Sequence, residues 1–303
     1  MIGLAGGSAR QRQRGATLLE LLIALSIGAL ILSALVMLYM QTGRAFAQQQ
    51  AMADLQARGR LATQVLAREI RQSGFWGELS DPARRDGDTQ AITDAAFDIP
   101  NALPVWGGSA AESQTLGLVA ASASLVAGSS AVMVRYAGQR SGPCLDYGAQ
   151  RLLSISDGNA DGGCGRWRLN QTTYHLRNID AQTSGLYATR RSNAGGMATS
   201  EVVRFIERLV VEWGLDANDD GSADRFYASD SVPEDWTLAD WDRVVAARIY
   251  VLARSERPIL NASARTFLIA GTSQSFDDGY LRRLFVTTTT LRNNRLRQNA
   301  HDL

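Results

Sequence analysis

Leu21 to Met40 is a run of 20 residues without a charge, and Glu20 stands at its head. As an α-helix such a run reaches about 30 Å, the thickness of a bilayer's hydrocarbon core. A carboxylate at the entrance to it is costly in lipid, which marks Glu20 as a functional residue. Arg10, Arg12 and Arg14 precede the run, and residues 1–15 hold no acidic side chain. Two simple readings fit part of this. A secretory signal has the basic start, and Ala45-Phe46-Ala47 offers a cleavage site. However, its apolar region is normally about 7–15 residues and carries no acid. A plain anchor, basic end inside, has the right length but leaves Glu20 unexplained.

The stretch Arg14-Gly15-Ala16-Thr17-Leu18-Leu19-Glu20 resembles the leader junction of type IV pilins. The family pattern is a basic leader ending in Gly, a hydrophobic residue, Ser or Thr, two aliphatics and Glu, then an apolar helix. Gly15, Thr17, Leu18, Leu19 and Glu20 match it, and Ala16 stands where a large apolar residue is usual. The resemblance implies that a prepilin peptidase cuts between Gly15 and Ala16 and methylates the Ala16 amine. Glu20 is then the fifth residue of the mature chain. In a fibre of bundled apolar helices, a buried ammonium and a buried carboxylate are each expensive alone and tolerable as a pair. Glu20 would thus neutralise the Ala16 amine of a neighbouring subunit.

The remaining length holds one large domain or two small ones. The formal charge of +1 falls by three to −2 when the leader arginines are removed, and neither value suggests a nucleic-acid binder. There is no Lys; every basic side chain other than His is Arg. The arginine bias places everything after the helix outside the cytoplasm, where disulfides persist. Cys144 and Cys164, the two cysteines, are expected to pair there. Closing a loop of that size stabilises by roughly 3 kcal/mol. Without a Cys-x-x-Cys pair or a nearby His, they do not read as a metal site.

Gln41 to Ser73 has no proline and is rich in helix formers. Leu55, Ala62, Leu66 and Ile70 form one apolar stripe, to be packed on a sheet, and Gly74 is placed to end the helix. The full helix is expected to run ~55 residues, or ~80 Å, with Gly28, Gly43 and Gly59 as its weak points. Residues 74–130 read as a variable loop region with Pro82, Pro100 and Pro104 as breakers. Strand patterns follow at Ala131–Tyr136, Arg151–Ile155, Arg166–Leu169, Val202–Leu215, Asp242–Arg254, Thr266–Ala270 and Leu281–Leu291. In Val202–Leu215, Phe205, Leu209, Val211, Trp213 and Leu215 share one face. One long helix followed by strands indicates an α+β fold with an antiparallel sheet. The expected division is a leader over 1–15, a transmembrane helix over 16–40, an amphipathic extension over 41–73, the loop region over 74–130 and a periplasmic sheet domain over 131–303.

The resemblance narrows at Trp241, the strand Val244 to Ser255 and the late run Leu281 to Asn293. These look like a PilW-type minor pilin, although minor pseudopilins of type II secretion share a similar layout. The family implies a structural, non-enzymatic subunit that helps to initiate a type IV pilus, in a tip complex with other minor pilins. Implied partners are the major pilin, the prepilin peptidase, the inner-membrane assembly machinery and a tip adhesin. The implied location is the inner membrane with the N-terminus cytoplasmic, then the fibre. The alternatives are a pseudopilin of a secretion or competence system, and a membrane-anchored binding module.

One run looks like a ligand set. Asp216, Asn218, Asp220 and Asp224, with Gly221 among them, fit positions 1, 3, 5, 9 and 6 of a calcium loop, and Ser222 completes the candidate metal set. The Glu expected at position 12 is replaced by Tyr227, and strands rather than helices flank the run. A shortened Ca2+ turn and a plain polar hairpin turn both fit. Catalysis finds no motif: His175 and His301 are far apart, and no nucleophile elbow, phosphate loop or zinc-protease pattern occurs. His175 reads as a strand residue. The tryptophans read as core anchors, with Trp76 and Trp106 as the alternative sugar or surface contacts.

Overall fold

A computed structural model of the chain describes residues 17–76, 103–138, 144–147, 153–156, 167–191, 197–233, 236, 238–259 and 264–293. It divides into two compact units, Met1–Gln50 and Ala51–Leu303. Helix α1, Leu18–Gln72, passes through the boundary. In the first unit no described residue is buried. In the second, α1 buries Leu55, Gly59, Ala62, Thr63, Leu66, Ala67, Glu69 and Ile70, so the expected stripe is the buried one. Gly74 follows the last turn at φ +76°, a conformation glycine adopts without strain, and its N–H donates to Arg135 O at 3.0 Å.

The sheet unit begins with β1 (Val105–Ser109) and the short helix α2 (Ala110–Thr115). Both lie in the stretch expected to be loop. A five-residue strand containing two glycines has too few side chains to show a period of two. The helix has a signal, the capping box Ser109-x-x-Glu112: Glu112 N–H donates to Ser109 Oγ at 3.1 Å and Ser109 N–H to Glu112 Oε2 at 3.3 Å. Then come β2 (Ser130–Gly138), β3 (Cys144–Tyr147), β4 (Leu153–Ser156), β5 (Trp167–Asn178), β6 (Ser184–Arg191) and β7 (Met197–Arg204). They form a seven-stranded antiparallel sheet with β1. Long β5 is its centre, pairing β2 along one side and both β3 and β6 along the other.

The second sheet has four antiparallel strands in the order β13-β10-β8-β9. These are β8 (Ile206–Leu215), β9 (Arg225–Ala228), β10 (Val244–Arg254, after the short helix α3, Leu238–Asp242) and β13 (Arg282–Thr290). Strands β11 (Arg265–Ile269) and β12 (Thr272–Phe276) make a separate hairpin. The expected single strand Val202–Leu215 is two strands in two sheets. Phe205 breaks it with φ +62°, and Ile206 rather than Phe205 enters the core. The Phe205 ring instead lies under the Arg58 guanidinium, 4.5 Å from its centroid. A register shift opposite Leu252 and Ala253 then resets the alternation, so that Leu209, Val211 and Trp213 are buried as expected.

One apolar core joins α1 to both sheets, from Leu55, Leu66 and Ile70 through Val132 and Leu176 to Trp213, Ile249 and Leu291. Gly59 is not a weak point in the helix but the place where a strand comes close. A Cβ there would lie 2.0 Å from a ring carbon of Phe285 on β13. Polar contacts fix the register of helix on sheet: Arg71 Nε donates to Thr289 Oγ1, and Asn293 Nδ2 donates to Ser73 O at 2.8 Å.

Candidate assembly site

Thr17 precedes the helix and caps it. Glu20 N–H donates to Thr17 Oγ1 at 3.3 Å, and Thr17 N–H donates back to Glu20 Oε2 at 3.0 Å. The Thr17 hydroxyl also donates to that oxygen, at 3.3 Å. Reciprocal Ncap–N3 bonding satisfies two of the backbone donors that a helix start leaves open, and the acid lies where the helix dipole favours negative charge. The spacing Thr-x-x-Glu was legible as a capping signal but was read only for its charge. Gly15 and Ala16 lie outside the described residues, so the expected cleaved bond and amine have no geometry to report.

Beyond the cap the helix is apolar on every side. Leu21, Leu22, Ile23 and Leu25 follow one another around a turn, and all are at least half exposed, as are Leu30, Ile31, Leu32 and Leu35. A helix that is apolar all round needs an apolar surrounding. Its Ser and Thr hydroxyls are bonded to the helix's own carbonyls, Ser26 to Leu22 O, Ser33 to Leu30 O and Thr42 to Tyr39 O. By length and composition this is a helix able to cross a membrane.

The amino-terminal residues 10–36 match the prokaryotic N-terminal methylation motif, and residues 173–293 match the type IV pilus-assembly protein W family. The two matches make the chain similar to PilW-type minor pilins, which are structural proteins of type IV pilus assembly. A solved type IV-like pilin from Thermus thermophilus is similar at 14% identity and a TM-score of 0.40, over 80% of this chain and 96% of that one. No curated protein matches.

The family match runs from within β5 to just past the end of β13. His175 lies on β5, wholly buried, with Nε2 2.9 Å from Thr189 Oγ1 of β6. Burial, with the Arg177 charge beside it, pushes its pKa down to about 4, so the ring is neutral at pH 7. This is a core histidine in a sheet. Trp76 is 1% exposed and Trp106 7%, so both are core anchors and neither offers an open ring face. Trp213, Trp241, Trp236 and Tyr227 form a chain of edge-to-face contacts at 5.1–5.5 Å between successive rings. Cys144 begins β3, and Cys164 lies outside the described residues.

An ion cluster between β8, β10 and β13 was not anticipated. Arg282 donates to both oxygens of Glu207 and both of Asp278, at 2.5–3.0 Å, and its guanidinium covers the Phe276 ring at 4.0 Å. Arg254 reaches Glu207 at 3.4 Å. The hydrogen bonds from Arg282 hold the Asp278 carboxyl down to about 2. Its members are spread over 76 residues, from Glu207 to Arg282, and no local pattern joins them.

Proposed function

We propose that this chain is a minor pilin, processed between Gly15 and Ala16 and methylated on the Ala16 amine. It is then held in the inner membrane with its N-terminus cytoplasmic and its sheet unit periplasmic, and it acts without catalysis as part of an initiating complex at the fibre tip. The observation that carries the reading is the capped, all-round apolar helix directly after Gly15-Ala16, in which every described residue up to Gln50 is exposed. That surface is compatible with lipid before assembly and with a bundle of like helices after it. Glu20 keeps a carboxylate at the helix start, four residues after the new amine, where a neighbour's ammonium can approach. The exported unit places Cys144 and Cys164 in an oxidising compartment, where they pair.

Deletion of the gene tests the function. Surface pili should be lost or greatly reduced, while protein secretion through the type II pathway continues. Intact pili with secretion lost would assign the chain to a secretion pseudopilus.

A further inference from the structure

The loop between β8 and β9 holds more negative charge than a turn requires. Asp216, Asp219, Asp220 and Asp224 fall within residues 216–224. Asp216 is wholly buried where β8 ends, and its N–H donates to Arg243 O at 3.0 Å. Its Oδ2 accepts from Gly221 N–H at 2.6 Å. Its Oδ1 is also buried and has no hydrogen-bond partner. A carboxylate oxygen withdrawn from water and given no donor is costly. The guanidinium beside the loop does not supply one, since Arg243 Nη2 donates to Ala217 O and Nε lies 3.6 Å from Asp219 Oδ1.

We propose that this loop is a calcium site anchored by Asp216 Oδ1. The orphaned oxygen belongs to the residue at position 1 of the calcium-loop spacing, and the order of donors after it follows that spacing. Asn218 and Asp220 stand at positions 3 and 5, the Ser222 carbonyl at 7 and Asp224 at 9. Gly221, at position 6, makes the sharp turn at φ +81°, and its N–H holds one oxygen of Asp216 so that the other is left for a ligand. Asp224 is tied to the same loop through Ala217 N–H at 2.7 Å. The donors are all hard oxygens, which excludes thiolate and imidazole metals and favours Ca2+ or Mg2+. A nine-residue loop with amide, carbonyl and carboxylate donors suits the larger, more tolerant ion. Among the described residues no three His, Cys, Asp or Glu side chains converge, so a cation would draw in a set that mixes carboxylates with the Asn218 amide and the Ser222 carbonyl. Position 12 is Tyr227, whose ring packs on Trp236, so the bidentate acid is lacking. The affinity should then fall in the weak class of extracellular modules, Kd on the order of 10⁻⁴–10⁻³ M.

The full chain in detergent, stripped with EDTA, is titrated with CaCl2 and with MgCl2 while heat and melting temperature are read. One saturable calcium site is expected, with Tm rising roughly 3–6 °C at 10 mM Ca2+ and less with Mg2+. Asp216→Asn retains an acceptor for Gly221 N–H but removes the charge, and calcium affinity should fall at least about tenfold. Should that variant fail to fold, Asn218→Ala at an exposed position gives the same reading: unchanged melting in EDTA and weaker calcium binding. No saturable binding by the natural chain would overturn the site. So would equal shifts from both ions that persist in the variants, which would show general ionic screening.

Discussion

Residues 18–50 and residues 51–72 belong to one helix but meet different surroundings. The first stretch has no buried residue, although Leu, Ile, Val and Met crowd it. The second is more polar, yet it buries eight residues against the sheets. Backbone geometry is the same in both, so helix propensity does not set them apart. What differs is where the apolar surface is covered: within the sheet unit for 51–72, whereas 18–50 is exposed and has the length and composition to cross a membrane. A single helix can thus serve as the core of a domain at one end and as an interaction element at the other.

The same substitution in each stretch tests that contrast. Leu66→Ala, at 0% exposure, should lower the stability of the full chain by about 3–4 kcal/mol, from lost transfer energy and the cavity left behind. Leu25→Ala, at 63% exposure, should change it by less than about 0.5 kcal/mol. Denaturant melts in detergent, followed by tryptophan fluorescence, would read both. Similar losses would mean that residues 18–50 are covered within the chain after all.

Acid should act on the sheet unit through His175. Its folded pKa, about 4, lies below the unfolded value of 6.5, so between those two the unfolded chain binds more protons. Stability is therefore complete above about pH 6.5 and falls as the pH drops towards 4, by roughly 2–3 kcal/mol. His175→Gln should be less stable at neutral pH but flatter over that window. An unchanged slope in this variant would show that His175 is not the group responsible. Asp278 adds a smaller loss at lower pH. Its folded pKa of about 2 is below its usual 3.8, so the stability present above 3.8 is lost as the pH falls towards 2.

Glycines sharpen the comparison on a smaller scale. Nothing lies within 4 Å of a Cβ added at Gly28, whereas at Gly59 it meets the Phe285 ring. Gly28→Ala should leave the melt unchanged or raise helix stability by up to about 1 kcal/mol. Gly59→Ala should lower the melt by about 1–3 kcal/mol, because the ring must move. Thermal melts of the two variants side by side would check this. A stabilised Gly59→Ala would mean that the ring yields freely.

The helix was legible in the sequence because its two halves carry strong and different signals: an unbroken apolar run, then a stripe at Leu55, Ala62, Leu66 and Ile70 that the structure buries. The late strands were legible for the same reason, since β10 and β13 are long and rich in Val and Thr. Short strands were not, as β1 has five residues and two glycines. The break at Phe205 was hidden because a positive φ at a non-glycine is imposed by tertiary packing, here by the separate sheets that take β7 and β8. At the assembly site the charge of Glu20 was plain, but its partner Thr17 was overlooked. The cluster of Glu207, Arg254, Asp278 and Arg282 is assembled by strand pairing alone, which no local spacing reveals.

Glu20 has two separable duties in this account: it caps the helix through Thr17, and it offers a charge to a neighbouring subunit's Ala16 amine. Glu20→Gln divides them, because glutamine also serves at the third helical position of a capping box but carries no charge. The decisive measurement is the ratio of this protein in sheared fibres to that in whole cells, for the natural chain and for Glu20→Gln, with intact mass confirming that both are processed. The account predicts a processed, membrane-resident variant depleted from fibres at least about tenfold, since an unpaired buried ammonium costs several kcal/mol. Incorporation equal to that of the natural chain would contradict it and leave capping as the only role of Glu20.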